Sequence, residues 1–405
     1  MGKASIILKV IKNKSINILY FENVAVLGGA AIVLRNLIKE IKKEEGINLV
    51  VICPEGELAE VFRKDNIKVI TVNSKRIVRT LNPLRLLLYF CSFLQVNLKL
   101  IKIIQKYNIN ILHSNSLGAH IYSFIAAKVA GIPNIWHLHD ILKEQKSNRL
   151  LCIFLSKMAN QIVVVSHAVK KSLVNFGIDS NKIKVIYNGL DLKLWNPEIP
   201  DKSYLYKEFT VNKASIKIGI IGQLAEWKGQ DIFLDAAIYL AKMDYVNLRY
   251  YIIGDELFKE ENKYKDSLFK KVKVNQIGDY VIFTGRRNDI PNIMAFLDII
   301  VVCSRYPDPL PTVVLESMAM GKVVIGTNIG GIPEMILNNE TGILVPPNDP
   351  VSLAKAILGL INQPDKIKEM GIKARERIKS DFTIEKNVGI VRNLYYKLLA
   401  DKEMI

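Results

Sequence analysis

An α/β fold of two doubly wound domains is predicted for this chain from three observations. The 405 residues exceed what one core holds, short β-rich runs alternate with helix-length segments from end to end, and an aperiodic stretch divides that alternation in two. Cores stop growing at about 100 to 200 residues, so two domains are expected from length alone. In the first half the runs are INILYF from Ile16, NLVVIC from Asn48, IKVITV from Ile67, NILHS from Asn110, NIWHLH from Asn134 and QIVVV from Gln161. Nearly continuous apolar runs spaced by helices predict parallel strands covered on both faces. The second half repeats the pattern with KIGIIG from Lys217, LRYYIIG from Leu248, YVIFTG from Tyr280, DIIVVC from Asp298 and KVVIGT from Lys322.

Between the halves, IYNGLDLKLWNPEIPDKSYLY carries Asn188-Gly189 and two prolines, which places a boundary near Trp195 to Pro200. The expected domains are therefore residues 1–195 and 196–380. A last helix over 381–405, with Thr383 as its N-cap, is placed to cross back onto the first domain. Two such domains facing each other enclose a cleft, and ligands of doubly wound sheets bind outside the carboxyl ends of the strands. Strand-to-helix turns are therefore where chemistry is sought.

Composition narrows the function. Fifty-six Lys and Arg against 39 Asp and Glu give a net charge of +17, which suits phosphates, polyanions or an anionic membrane, although a Lys-rich proteome explains it equally well. No basic–aromatic interleaving, zinc-finger or basic-zipper spacing accompanies the charge, so nucleic acid is not the expected partner. Cys53, Cys91, Cys152 and Cys303 lie far apart in mostly apolar settings and read as buried thiols rather than a metal or disulfide framework. MGKASIILKVIKNK lacks the features of a signal peptide, which predicts a cytoplasmic protein. The apolar stretch Leu86–Val96 is 11 residues long, short of the roughly 20 that span a bilayer. Flanked by Arg85, Lys99 and Lys102, it reads as a helix packed on a sheet or lying in a membrane interface.

The strongest constellation runs from Ser304 to Gly321, after the strand DIIVVC and into a helix. Asp308 lies in the loop and Glu316 in the helix, so the carboxylates can meet different parts of an extended ligand, as paired sugar or ribose hydroxyls require. Pro311 suits the first helical turn, leaving the N–H groups of Thr312 and Val313 for an anion such as a diphosphate. A second constellation, Gly222 to Asp231, sets Lys228 just before another helix, where ammonium and helix dipole together can neutralise a diphosphate leaving group; a solvated lysine is the plain alternative. Gly28-Gly29 permits close backbone approach to a ligand, and a tight turn explains the pair as well. His139 ends the run NIWHLH, with His113 and His137 as alternatives for the same role. No D-x-D triplet, Walker loop or G-x-S-x-G elbow occurs, so a metal site is not expected and cations with helix termini carry the electrostatics.

Taken in order, the GGAA turn, WHLHD, VVVSHAVKKSL, KVIYNGLD, GQLAEWKGQD, FTGRRNDIPNIMAFLDIIVVCSR, DPLPTVVLESMAMG, GGIPEMI and ETGILVPPNDP resemble the retaining glycosyltransferases of family 4, the glycosyl transferases group 1, over nearly the whole chain. The resemblance implies the GT-B fold of two facing Rossmann-like domains, with the first on the acceptor side and the second holding the nucleotide sugar. By that resemblance Asp308 and Glu316 contact the donor sugar and the ribose, Leu310, Thr312 and Val313 complete the donor segment, and Lys228 holds the diphosphate. The family's acidic pair usually begins with Glu, whereas here Asp308 stands first. Gln223 stands where the family has an arginine, and Arg286, Arg287 or Arg305 are the residues that can compensate. Gly28 and Gly29 are placed near the phosphates and acceptor, and His139 near the sugar. Lys228, Asp308 and His139 are thus the expected catalytic set.

The implied activity is a retaining, metal-independent hexosyl transfer from a UDP- or GDP-type sugar to a hydroxyl of a glycan or lipid-linked acceptor, in cell-surface polysaccharide or glycoconjugate synthesis. No cofactor beyond the donor is implied, and the location expected is the cytoplasm, at the inner face of the membrane. The rivals are a sugar nucleotide 2-epimerase, which isomerises its substrate without an acceptor, and a degenerate nucleotide-sugar-binding subunit, motivated by Gln223 and Asp308.

Overall fold

The computed structural model describes residues 15–74, 80, 82–243, 245, 247–256 and 262–403; the reading of the first fourteen residues lies outside them. The chain forms two compact units, Met1–Gly189 with Ile384–Ile405, and Leu190–Thr383.

The first unit is built on seven parallel strands, β1 (Ile16–Phe21), β2 (Ile47–Cys53), β3 (Val69–Thr71), β4 (Ile111–Ser114), β5 (Asn134–Leu138), β6 (Gln161–Val164) and β7 (Ile183–Val185). Their spatial order is β3-β2-β1-β4-β5-β6-β7. Helices α1 (Gly29–Ile41), α2 (Glu57–Lys64), α3 (Pro83–Lys106), α4 (Leu117–Val129), α5 (Lys146–Met158) and α6 (His167–Asn175) connect them. Ser116 and Ser166 cap α4 and α6 by accepting from the N–H groups of Ala119 and Val169, each cap contributing about 1 kcal/mol. Leu34, Leu37 and Ile38 of α1 pack on one face of the sheet, and Val96, Leu100, Tyr122 and Ala126 of α3 and α4 on the other.

The second unit has six parallel strands, β8 (Ile216–Ile221), β9 (Leu248–Ile253), β10 (Val281–Gly285), β11 (Ile299–Val302), β12 (Val323–Thr327) and β13 (Gly342–Val345), ordered β10-β9-β8-β11-β12-β13. Its helices are α7 (Ser203–Glu208), α8 (Gln230–Ala241), α9 (Asn262–Val274), α10 (Ile290–Phe296), α11 (Thr312–Ala319), α12 (Ile332–Met335), α13 (Pro350–Ile361) and α14 (Pro364–Asp381). The last helix, α15 (Ile384–Glu403), belongs to the first unit, where Val388, Val391, Leu394 and Tyr395 join the core beside α1.

Three expectations are corrected. The boundary falls at Gly189/Leu190 and Thr383/Ile384, because Trp195 is 8% exposed and its carbonyl accepts from Arg375 of α14, which ties the supposed linker into the second unit. The helix carrying Leu86 has 24 residues, long and apolar enough by composition to cross a bilayer. Its C-terminal half nevertheless packs in the core through Val96, Leu100, Ile103 and Ile104, while Leu84, Leu86, Leu87, Leu88 and Phe90 stand exposed. Cys91 lies on that exposed half, so only Cys53, Cys152 and Cys303 are buried thiols.

Candidate functional site

In both sheets the strand order reverses at one place, between β1 and β4 and between β8 and β11, and in doubly wound sheets ligands bind outside the carboxyl ends of the strands at such a reversal. The residues that follow these four strands are the ones the fold delivers to a ligand.

In the second unit, β8 runs into Gly222 and then a turn, Glu226–Lys228, that ends at Gly229 and starts α8. Gly229 has φ +75°, and a Cβ there would sit 2.1 Å from the carbonyl oxygen of Cys303, directly after β11. Only glycine meets both demands. The Cys303 thiol donates to the Gly229 carbonyl at 2.9 Å, and the Arg305 N–H to the Trp227 carbonyl at 2.8 Å. Burial pushes that thiol up to about 12, so it stays protonated and donates. The turn after β8 and the loop after β11 are thus clamped together.

The clamp sets Lys228 Nζ 2.7 Å from Asp308 Oδ2, with Asp308 only 4% exposed. The ammonium also lies 4.0 Å above the Trp227 ring centroid, a cation–π contact. Asp308 is held from behind by a glycine pair. Gly330 has φ +63° and a Cβ on it would lie 2.3 Å from the Asp308 carbonyl oxygen, a Cβ on Gly331 would lie 2.0 Å from that of Pro309, and the Gly331 N–H donates to the Asp308 carbonyl at 2.8 Å.

Helix α11 begins at Thr312, with Pro311 as its N-cap rather than in its first turn. Leu310 is buried beside it. The N–H groups of Thr312 and Val313 open the helix, where no intrahelical acceptor exists for them. About one turn on, burial pushes the Glu316 carboxyl up to about 7, opposed by a hydrogen bond from the Thr312 hydroxyl. Lys228, Asp308, Leu310, Thr312, Val313 and Glu316 therefore all belong to one corner of this unit. Gln223 enters it by its backbone, its carbonyl accepting from Gln230 at 2.8 Å.

The arginines stand differently. Arg287 is gripped by Asp289, at 2.8 and 2.7 Å, and by Glu208, and these carboxylates raise its basicity further. Arg305 is paired with Asp231 in the first turn of α8 and reaches Asn348 at 3.0 Å. Both cations are thus committed to protein carboxylates, Arg305 on the clamp itself and Arg287 in the loop after β10.

In the first unit, Gly28 is the N-cap of α1 and Gly29 its first residue. Neither has positive φ, and a Cβ on either would meet nothing within 4 Å, so the fold itself does not demand glycine there. His139 follows β5 and is 9% exposed. Its Nε2 lies 3.0 Å from Asn115 Oδ1, its ring packs against His137 at a centroid distance of 4.2 Å and a tilt of 30°, and burial lowers its pKa to about 4. His137 in turn contacts His113 at 3.2 Å, and His113 reaches Tyr395 of α15 at 2.7 Å. These two alternatives are hydrogen-bonded to each other and 1 and 3% exposed, whereas His139, 9% exposed, bonds instead to Asn115.

Sequence reasoning passed over Glu22, Asn23, Asn115 and Ser116, which follow β1 and β4 at the reversal. The signal was a polar residue directly after a buried run at two strands. Glu22 is 3% exposed and accepts from the Asn23 N–H at 2.8 Å, Asn115 Nδ2 at 2.9 Å and Ser116 Oγ at 3.0 Å. Among the described residues no group of three or more His, Cys, Asp or Glu is gathered as for a metal ion.

The sequence matches two family models, Glycosyltransferase Family 4 over residues 27–194 and Glycosyl transferases group 1 over residues 204–377. It is 28% identical over 316 residues to the UDP-Gal:alpha-D-GlcNAc-diphosphoundecaprenol alpha-1,3-galactosyltransferase of Escherichia coli, covering 75% of this chain and 80% of that one. It is 26% identical to the N-acetyl-alpha-D-glucosaminyl L-malate synthase of Bacillus anthracis, covering 75% and 78%. Among solved structures, Anabaena HepE in complex with UDP-glucose superposes with a TM-score of 0.79 at 25% identity, covering 93% of this chain and 99% of that one. A glycosyltransferase from Rickettsia africae superposes with a TM-score of 0.84 at 24% identity, covering 96% and 99%, which shows the shared fold.

Proposed function

Because the chain belongs to the glycosyltransferases of family 4, the glycosyl transferases group 1, we propose that it moves a hexose-type sugar, with retention and without a metal, from a nucleoside diphosphate to a hydroxyl of a glycan or lipid-linked acceptor. The observation that carries this reading is the Lys228–Asp308 pair, held at 2.7 Å beside the N-termini of α8 and α11. One cation and two helix ends converge where a diphosphate must gather negative charge, and an acidic side chain stands ready for sugar hydroxyls.

In the reaction, the bond from the anomeric carbon to the phosphate oxygen breaks and its electron pair leaves with the diphosphate. The acceptor oxygen forms the new bond on the same face, and its proton passes to the departing phosphate. Lys228 and the N–H groups of Thr312 and Val313 stabilise the leaving charge, Asp308 orients the sugar, and Glu316 accepts from the ribose hydroxyls. Gly28 and Gly29 leave open backbone for the phosphates and acceptor, and His139 offers a ring nitrogen to a sugar hydroxyl. The relatives that use UDP-galactose and bind UDP-glucose favour a uridine donor.

The lipid-linked substrate named for the Escherichia coli relative, the charge of +17 and the exposed apolar half of α3 together support work at the inner face of the membrane. Incubation with UDP- and GDP-sugars tests the chemistry. Slow release of nucleoside diphosphate is expected; isomerised sugar would establish the epimerase instead, and neither product a binding subunit. A thermal-shift panel of uridine, guanosine and adenosine diphosphates identifies the base, since a ligand at a hundred times its Kd stabilises by about 2.7 kcal/mol.

A further inference from the structure

We infer that Glu22, acting through the amide of Asn115, fixes His139 as the Nε2–H tautomer, so that the ring presents its Nδ1 lone pair as a hydrogen-bond acceptor for a ligand hydroxyl. Glu22 and Asn115 are thereby positioning residues for His139. The inference rests on the reading that a sugar or acceptor hydroxyl meets this histidine, and adds which atom receives it and what enforces that choice.

The argument is one of donors and acceptors. Glu22 Oε1 receives the backbone N–H of Asn23 at 2.8 Å, a group that can only donate. Oε2 faces the Asn115 side chain at 2.9 Å. Burial raises the pKa of this carboxyl, and the hydrogen bonds from Asn115, Asn23 and Ser116 lower it again; as a carboxylate it only accepts, and Asn115 accordingly turns its NH2 toward Glu22 and its carbonyl oxygen away. That oxygen lies 3.0 Å from His139 Nε2. An amide oxygen cannot donate, so the proton between them belongs to Nε2.

A neutral imidazole with Nε2–H has a bare Nδ1. Burial keeps the ring neutral, since its pKa is lowered to about 4. The His137 ring, tilted by 30° with its centroid 4.2 Å away, packs against the His139 ring without competing for Nδ1. Ser116 Oγ, 3.0 Å from Glu22 Oε1 and 2.8 Å from Asn23 Oδ1, completes the shell around the carboxylate. Gly118 keeps this shell compact, because a Cβ there would lie 2.2 Å from Asn23 Nδ2. His137, which has a different surrounding, is tied to His113 and cannot take the role.

A nitrogen-15-labelled full-length chain tests the inference with long-range proton–nitrogen correlation spectra of its five histidines, His139 being assigned by loss of its signals in His139→Gln. The wild-type spectrum is expected to show His139 protonated at Nε2 and bare at Nδ1, and a Nδ1–H tautomer or an imidazolium at pH 7 would overturn the inference. Glu22→Gln keeps shape but can offer either face of its amide to Asn115, so a Nδ1–H population is expected at His139. Turnover should then fall about tenfold or more with the affinity for uridine diphosphate unchanged. A retained pure Nε2–H tautomer in Glu22→Gln would also overturn it. The wild-type spectrum needs no variant to fold, and it stands whether or not donor hydrolysis is seen, so failure of this inference and failure of the proposed reaction are separate results.

Discussion

Lys228 and Asp308, eighty residues apart in sequence, form an ion pair of 2.7 Å in which the carboxylate is 6% and the lysine side chain 19% exposed. In the proposed reaction each has a separate partner, diphosphate for one and sugar for the other, so the pair keeps both side chains in place until a donor arrives. Removing one member of a buried pair typically costs about 3–5 kcal/mol, because the other charge is left uncompensated. Lys228→Ala is therefore expected to lower the melting temperature and to reduce kcat/KM by a hundredfold or more. The double variant Lys228→Ala with Asp308→Asn should regain most of the stability and none of the activity. Recovery of activity in the double variant would show that the pair is structural only.

Glycine substitutions should separate architecture from ligand contact. Gly229→Ala and Gly330→Ala each place a Cβ within about 2.3 Å of a backbone oxygen at positive φ, so both should destabilise the second unit by more than 2 kcal/mol. Gly28→Ala and Gly29→Ala meet nothing within 4 Å and should leave the melting temperature within about a degree while weakening turnover. Full activity in both would remove these glycines from the site.

Much of this architecture was legible in the sequence, for a physical reason. Parallel strands buried on both faces must be continuously apolar, and eleven runs announced themselves that way. The edge strands β7 and β13 are only three and four residues long and sit among Asn, Gly and Pro, so their signal was lost in the turns. Asp308 and Lys228 were readable because each follows a buried strand and precedes a helix. The glycines that shape their corner were not, since Gly330 acts on a backbone more than twenty residues earlier. Glu22 and Asn115 were invisible for the same reason: they lie ninety-three residues apart, and only the β1–β4 pairing brings them together.

The charge absent at Gln223 points to the arginines. Arg305 pairs with Asp231 at the first turn of α8 and donates its backbone N–H to Trp227, so Arg305→Gln should lower donor affinity with a modest stability cost. Arg287 is held by Asp289 and Glu208, so Arg287→Gln should cost stability first. Isothermal titration with uridine diphosphate beside melting curves separates the two, and unchanged affinity in both variants and in Arg286→Gln would leave Lys228 alone as the cation on the diphosphate.

Glu316 carries a pH signature. Its carboxyl sits at about 7 in the fold, above the ordinary 4.5, because burial strips water from its charged form. A raised carboxyl contributes stability at low pH that is lost as pH rises through the folded value, so the free protein should lose stability between pH 4.5 and about 7. The ionised form is the better acceptor for two ribose hydroxyls, so nucleotide affinity should rise over the same interval, by up to tenfold per pH unit. Glu316→Gln should flatten both dependences. A wild-type affinity that falls with pH would contradict the ribose role.

The exposed half of α3 carries a last prediction. Leu84, Leu87, Leu94 and Leu98 recur at helical spacing, exposed by 64, 57, 45 and 62%, and Lys102 continues the same stripe. Phe93 of α3, Phe124 of α4 and Phe154 of α5 form an aromatic row with centroids 6.1 and 5.8 Å apart, which joins α3 to the exposed Leu150 and Phe154. Arg85 and Lys99 of α3 and Lys146 and Arg149 of α5 are exposed on the same helices. Burying each such leucine yields about 1.5–3 kcal/mol, and each basic residue adds about 1 kcal/mol at an anionic surface. Flotation with anionic vesicles at low salt should carry the wild-type protein upward, and Leu87→Glu with Leu94→Glu should leave it at the bottom with donor hydrolysis intact, because these leucines contribute nothing to the core. High salt should release part of the wild-type protein and neutral vesicles should bind less of it, as a surface joining leucine burial to lysine charge requires. Equal flotation of wild-type and variant chains would place the membrane contact elsewhere, and no flotation of either would remove it.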